Sequence, residues 1–244
     1  QDQEIAVVYF RSGYSPLHFP REKTWEVKYH LERSLAVKCP CIQYMLANTK
    51  LVQAALSKPE NLARFINPAS DVYQQVLGTF AKQFTLSDVF GLSDAVEIQE
   101  AVNHCLKHPE RYVLKPQREG GGNNYFDAEL VRMLSQITST DERRSYILMQ
   151  RLYPTVVENY KLDSTGSLPH PENIVSELGI FGTFVAPIVI LLRFPNHLYP
   201  IIFSRGNDVL LNQSAGQILR SKMAKSAEGG IVAGYGFLDS PFLI

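Results

Sequence analysis

The sequence of 244 residues carries no net charge: 24 lysines and arginines balance 24 aspartates and glutamates. Domains that grip nucleic acid ordinarily show a basic excess, so nucleic acid is not an expected partner. Cysteine is scarce. Cys39, Cys41 and Cys105 are an odd number without metal-ligand spacing, which argues against a disulfide scaffold and for a reduced, cytoplasmic setting. Long apolar runs are missing too; proline or arginine interrupts each, so no membrane span and no membrane partner are expected. There is no Walker A loop, no G-x-G-x-x-G fingerprint, no repeat and no low-complexity tract. No secretory leader pattern opens the sequence. The first residue is not Met, and a strand-like run, Ile5 to Phe10, follows almost at once. A strand needs neighbours, so the expectation is a piece of something longer, with this strand lacking partners.

What is present is an ordinary globular share of apolar residues, 45%, patterned as α/β (α+β mixed). Apolar spacing predicts helices over "TWEVKYHLERSLAVKC", over "IQYMLANTKLVQAALSKPENLARFI" with a break near Pro59, over 71–83 and 94–107, and over "DAELVRMLSQI". Strands are expected at "RYVLKP", "SYILMQRL" and "IVSELGIFGTFV", and a polar-to-helical segment over 214–228.

The segment "VLKPQREGGGNNYF" concentrates the chemistry. Consecutive glycines admit positive φ and let backbone N–H groups approach an anion closely. A preceding lysine can meet phosphate as a point charge, and a carboxylate can hold Mg²⁺. Such a loop can also close over a reactive intermediate. A plain surface hairpin explains the same glycines, and the pattern alone leaves both readings open.

"LKPQREGGGNN", "SYILM", "SELGIFG" and "LRSKM" before a Gly-Gly loop, in that order, closely resemble the eukaryotic type of glutathione synthetase. The resemblance begins at "EIAVVYFRSGY" and covers the C-terminal half of a chain about twice as long. It implies an ATP-grasp fold with the tail end of a Rossmann-like substrate-binding domain at the N-terminus. The implied domains are residues 1–47, the remnant of that substrate-binding domain, and 48–244, the ATP-grasp domain, with an atypical insert at 186–206. The implied reaction joins γ-glutamylcysteine to glycine: ATP phosphorylates a carboxylate, and the glycine amine attacks the acyl phosphate, giving glutathione, ADP and phosphate. The implied co-substrate is ATP with Mg²⁺, and the implied assembly a homodimer. A catalytically inactive nucleotide-binding fragment is the alternative.

Position by position, the resemblance assigns Lys50, Lys115 and Lys222 to the nucleotide and Glu119 to Mg²⁺. Gly120, Gly121, Gly122, Asn123 and Asn124 become the loop over the phosphates. Met149, Gln150, Arg151 and Leu152 would hold adenine through backbone groups, although Gln150 stands where an acid is usual and Arg151 where a lysine is usual. Phe126 replaces a family tyrosine near the nucleotide, with Tyr125 adjacent. Glu177 is assigned to the ribose and Glu228 to the edge of the second glycine loop. Arg220 becomes the catalytic arginine that contacts substrate. Arg11, Ser12, Gly13 and Tyr14 match a substrate-binding segment, with Ser12 where an acid is usual. Ile231 and Val232 occupy substrate-contact positions where the family has smaller residues.

Two further features carry less. His104 and His108, spaced i, i+4, can share a helix face, but no third metal ligand accompanies them. Cys39 and Cys41 flank Pro40 and read as ordinary residues. The insert "APIVILLRFPNHLYPIIFSRG" fits a lid, a buried hairpin or a translated intron, the last because Phe203-Ser204 can be encoded across a splice acceptor.

Overall fold

The computed structural model describes residues 3–88, 91–117, 123–162, 169–185, 188–194, 197–203, 210–227, 229, 231 and 234–240, with backbone alone over 188–203. The chain divides into two compact units, 1–153 and 154–244. The expected boundary after residue 47 falls inside the first.

In the first unit, β1 (Val7–Tyr9) runs parallel to β2 (Val37–Cys39), with Val7 opposite Val37 and Tyr9 opposite Cys39. The opening strand therefore has a partner, contrary to expectation. The helix α1 (Glu22–Arg33) ends where Ser34 turns extended. The helix predicted to continue over "SLAVKC" stops at Arg33, and its last three residues, Val37–Cys39, form strand β2, because a long-range pairing with β1 outweighs local helical spacing. Short helices follow: α2 (Ile42–Ala47), α3 (Lys50–Leu56), α4 (Pro59–Leu62) and α5 (Asp71–Gly78). The expected helix over 71–83 stops at Gly78, and β3 (Gln83–Thr85) takes over its end.

Helix α6 (Ala95–Lys107) is capped by Asp94, whose side chain accepts from Glu97 N–H at 2.7 Å. Then come β4 (Tyr112–Pro116), α7 (Asp127–Gln136), α8 (Thr140–Arg144) and β5 (Tyr146–Gln150). The three strands form an antiparallel sheet in the order β3-β5-β4. Leu114 on β4, opposite Leu148 on β5, is fully buried with Leu86, Ala101, Cys105, Leu130 and Ile137. Side chains alternate across a strand, so this leaves Val113, Lys115 and Met149 on the other sheet face.

The second unit holds β6 (Val157–Tyr160), β7 (Pro171–Val185), β8 (Ile188–Phe194), β9 (His197–Phe203), β10 (Leu211–Met223) and β11 (Gly236–Asp239). Its main sheet is antiparallel in the order β11-β10-β7-β6. The helical expectation for 214–228 is wrong over most of its length: "SAGQILRSKM" belongs to β10, paired along its length with β7. A bulge between Ser214 and Gly216, with Gly216 at φ +121°, accommodates the register shift. Most of the insert forms the hairpin β8–β9, with Ile188 opposite Phe203 and Phe194 opposite His197. Among the described residues, no helix is long and apolar enough to cross a membrane.

Candidate functional site

The first unit positions Lys50, Lys115 and the ends of the glycine segment. Lys115 sits on β4 opposite Ile147, half-buried, on the face away from the Leu114 cluster. One residue back, Leu114 N–H donates to Tyr125 O at 3.1 Å, and Tyr125 N–H donates to Leu114 O at 3.0 Å. This two-bond bridge fixes Leu114 beside Tyr125, on either side of the glycine segment. Glu119, Gly120, Gly121 and Gly122 lie outside the described residues. Lys50 is the first residue of α3, and the next N–H, of Leu51, donates to Gln117 Oε1 at 3.3 Å. The two predicted lysines thus flank a single hydrogen bond between the start of α3 and the exit of β4.

Phe126 ends the loop and stands at the N-cap of α7. The Arg151 guanidinium lies 5.0 Å from its ring centroid and 5.4 Å from that of Tyr153, within cation–π range. Arg151 Nη1 is also 3.4 Å from both carboxylate oxygens of Asp127. Two residues assigned to the nucleotide from distant sequence positions are therefore in contact. Of the Met149–Leu152 backbone, the N–H of Gln150 already donates to Lys82 O and that of Arg151 to Arg111 O, both at 2.8 Å.

In the second unit, Arg220 on β10 is directly opposite Glu177 on β7, and its guanidinium donates to that carboxylate. Lys222 follows on the same face. Its ammonium donates to the carbonyls of Ser226 and Ala227 at 2.7 and 2.8 Å, folding the turn after β10 back over the strand. Gly236 is opposite Lys222 on β11, where a Cβ would lie 3.1 Å from both Gly229 O and Ser221 O and 3.6 Å from Ile231 Cγ1. Ile231 is thereby held beside the lysine strand, in a turn closed by Gly234 N–H on Ile231 O at 3.0 Å. Glu228 and Val232 lie outside the described residues.

The Arg11–Tyr14 segment follows β1 as a tight loop. Gly13, at φ +92°, donates its N–H to His18 Nδ1 at 2.8 Å, and Tyr14 meets the His18 ring edge-on at 4.9 Å between centroids. Arg11, Ser12 and Tyr14 are exposed.

The residues 8–243 match the family model "Eukaryotic glutathione synthase, ATP binding domain". The chain belongs to this family. Among curated relatives, the glutathione synthetase of Rattus norvegicus is 38% identical over 242 residues, which are 99% of this chain and 46% of that protein. The Homo sapiens enzyme is 38% identical over 240 residues, 98% of this chain and 45% of its own. The chloroplastic glutathione synthetase of Solanum lycopersicum is 36% identical over 246 residues, 99% of this chain and 39% of its own. The chain therefore spans less than half the length of these relatives. A solved glutathione synthetase-like effector from Globodera pallida, in apo form, shares the fold with a TM-score of 0.59 at 20% identity, over 90% of this chain and 40% of that one.

Within this glutathione synthetase frame, several structural residues were not legible beforehand. His18 anchors the Gly13 loop. Asp127, at φ +48°, holds Arg151. On the sheet face opposite Arg220, Asp239 accepts from Ser221 Oγ at 3.0 Å and Asn159 Nδ2 at 3.3 Å, while Ser221 and Ser176 hydroxyls meet at 2.7 Å. This polar chain crosses all four strands and is a plain source of register. An Asp or Ser in a strand carries no such signal until the partners are known.

A cleft of about 860 Å³ in the first unit is lined by Lys58, Gln83, Glu97 and His104 with Gln150 and Arg151. Of the predicted nucleotide residues it takes in only those last two. Beside it, burial above all pushes the Cys105 thiol up to about 12 and raises Tyr112. Among the described residues, no group of three or more His, Cys, Asp or Glu is arranged for a metal. His104 and His108 stack at 4.8 Å between centroids, and His104 Nδ1 is 2.9 Å from the Tyr112 hydroxyl; a ring engaged with its neighbours explains the pair without a metal.

Proposed function

We propose that this chain carries the nucleotide-handling part of an ATP-grasp ligase that joins γ-glutamylcysteine to glycine. In that reaction the γ-phosphoryl group of ATP passes to the substrate carboxylate, releasing ADP. The glycine nitrogen then bonds to the carbonyl carbon, and phosphate leaves. The observation that carries this reading is the Leu114–Tyr125 bridge on either side of the glycine segment, with Lys115 next to it and the Lys50 helix tied to Gln117.

Each residue then has a physical task. Lys50, Lys115 and Lys222 neutralise phosphate charge, where donors aimed at developing negative charge act most strongly. Gly120, Gly121 and Gly122 with Asn123 and Asn124 cover the phosphates and keep water from the acyl phosphate. Phe126 and Arg151 border the base. With the Gln150 and Arg151 N–H groups committed to the fold, base recognition falls to carbonyls and the Leu152 N–H. Glu177 meets the ribose, and Glu228 borders the second loop. Arg220 holds the reacting substrate oxygens. Arg11, Ser12, Gly13, Tyr14, Ile231 and Val232 contact γ-glutamylcysteine and glycine. Mg²⁺ commonly keeps one or two carboxylates together with substrate phosphates. Glu119 as sole protein carboxylate fits the ion only jointly with ATP, which it would help neutralise. Residues 1–47 belong to a substrate-binding domain, the setting is cytoplasmic, and the assembly is a homodimer.

A second reading, a nucleotide-binding fragment without turnover, draws support from length: the chain spans under half of its relatives. ADP release in MgATP, γ-glutamylcysteine and glycine separates the two. Release that requires both substrates and disappears in Lys115→Ala establishes the ligase. MgATP binding without release establishes the fragment.

A further inference from the structure

A backbone N–H can only donate, so the group it bonds must accept. Gly13 N–H donates to a side chain able to lose that capacity, His18, whose Nδ1 is 2.8 Å away. A ring nitrogen accepts only while it carries no proton. In this conformation the imidazole is therefore neutral, with its proton on Nε2. The imidazolium has an N–H at both nitrogens, so protonation sets two donors against each other.

The bond holds a backbone that does not hold itself. Gly13 is at φ +92°, a turn that glycine tolerates but does not enforce. A Cβ there would lie 3.2 Å from Phe19 Cζ, so the glycine rests against that ring. Phe19 in turn stacks on Trp25 of α1, with 4.5 Å between centroids. This apolar contact is indifferent to pH, and the His18 contact is not. His18 ends the short 3-10 turn Pro16–His18, whose Leu17 N–H donates to Ser15 Oγ. The titratable group that meets its ring is Tyr14, edge-on, and a phenol keeps its proton well above neutral pH. Among the described residues the histidine–carboxylate pairs are those of His108 and His170. No carboxylate therefore offsets the lost bond when the His18 ring takes a proton.

We infer that His18 is a positioning residue for the segment Arg11–Tyr14: as a neutral acceptor it holds Gly13 in its left-handed turn, and as a cation it releases it. Arg11, Ser12 and Tyr14 are exposed around that glycine, so their placement follows the turn. Histidine gains its proton between about pH 8 and about pH 5, and the segment changes shape within that window. The consequence for binding rests on the reading of Arg11–Tyr14 as a γ-glutamylcysteine contact. The response of the segment to pH does not.

The test compares the wild-type chain with His18→Gln and His18→Leu. A glutamine oxygen can accept the same N–H and does not titrate, whereas leucine offers no acceptor. His18 is exposed, so thermal melts of the three proteins are expected to agree. The Gly13 amide is followed by NMR from about pH 8 to about pH 5, together with the His18 ring. Trp25, the one tryptophan of the sequence, reports the Phe19 side by fluorescence. In the wild type the Gly13 amide moves in step with protonation of the ring. His18→Gln keeps the high-pH signal throughout, and His18→Leu shows the low-pH signal throughout. A purely structural role for the ring gives no such rescue by glutamine. A Gly13 amide that stays still while His18 titrates, or a leucine variant with the wild-type high-pH signal, overturns the inference and leaves the substrate reading standing. Calorimetry with γ-glutamylcysteine at the upper pH, MgATP present, reads the other half. His18→Leu is expected to weaken binding about three- to ten-fold, the worth of one neutral hydrogen bond, and His18→Gln to retain it. Equal affinity in all three proteins, with the amide response intact, overturns the substrate reading of Arg11–Tyr14 and the positioning role with it.

Discussion

Arg220 and Glu177 stand opposite one another on β10 and β7, and the guanidinium donates to the carboxylate across the strand pair. Their side chains are 44% and 67% exposed, so water screens the attraction. Exposed pairs of this kind are worth about 0–1 kcal/mol. Glu177→Gln is therefore expected to change unfolding stability in urea by less than about 1 kcal/mol. If the carboxylate holds the ribose, the same variant weakens ATP binding about ten-fold or more, because charged hydrogen bonds are worth about 1.5–3 kcal/mol. Unfolding curves and calorimetric titration of one variant read the two effects separately.

Lys222 binds two carbonyls of the turn that follows it. Lys222→Ala removes a cation from the proposed phosphate site and also releases that turn. The expected result is a loss of about 2 kcal/mol in ATP binding, roughly thirty-fold in Kd, with faster amide exchange confined to residues 224–229. Equal exchange in wild type and variant contradicts the structural half of this account.

Gly236 is packed where a Cβ would lie 3.1 Å from two backbone oxygens, those of Gly229 and Ser221. Backbone on both sides cannot swing away as a side chain can. Gly236→Ala is expected to cost about 1–3 kcal/mol and to loosen β11 from β10. Urea denaturation checks the first, and amide exchange at Phe237 and Leu238 checks the second.

Cys105 is fully buried, and burial, with a smaller contribution from Glu110, pushes its thiol from 9.0 to about 12. The native state holds this proton more tightly than the unfolded chain. Its contribution to stability is thus complete below pH 9 and declines as pH rises from there toward 12. Urea midpoints should fall across that window, and less so in Cys105→Ala. At neutral pH, a thiol reagent should modify exposed Cys39 and reach Cys105 only on unfolding.

Legibility in the sequence followed the range of the forces involved. β4 and α7 announce themselves because local patterning decides them: "YVLKP" opens on a short run of strand-favouring apolar residues, and "DAELVRMLSQ" repeats at helical spacing and buries Leu130. β10 did not, because "SAGQILRSKM" pairs with a strand some forty residues earlier and no local preference reports that pairing. β2 was lost for the same reason, its partner being β1 across α1. At the candidate site, the lysines and arginines are proposed from their motifs. The residues that hold the site in shape, His18, Asp127 and Asp239, could not be, since each acts through a hydrogen bond to a group remote in sequence or hidden in a turn.

The central claim is that Lys115, next to the Leu114–Tyr125 bridge, serves a nucleotide. Isothermal calorimetry of this chain with MgATP tests it most directly, alongside Lys115→Ala with an unchanged melting temperature. The account predicts saturable binding with one site per chain, weakened about ten-fold or more in the variant, consistent with loss of a charged hydrogen bond. No saturable heat, or equal affinity in the two proteins, contradicts it.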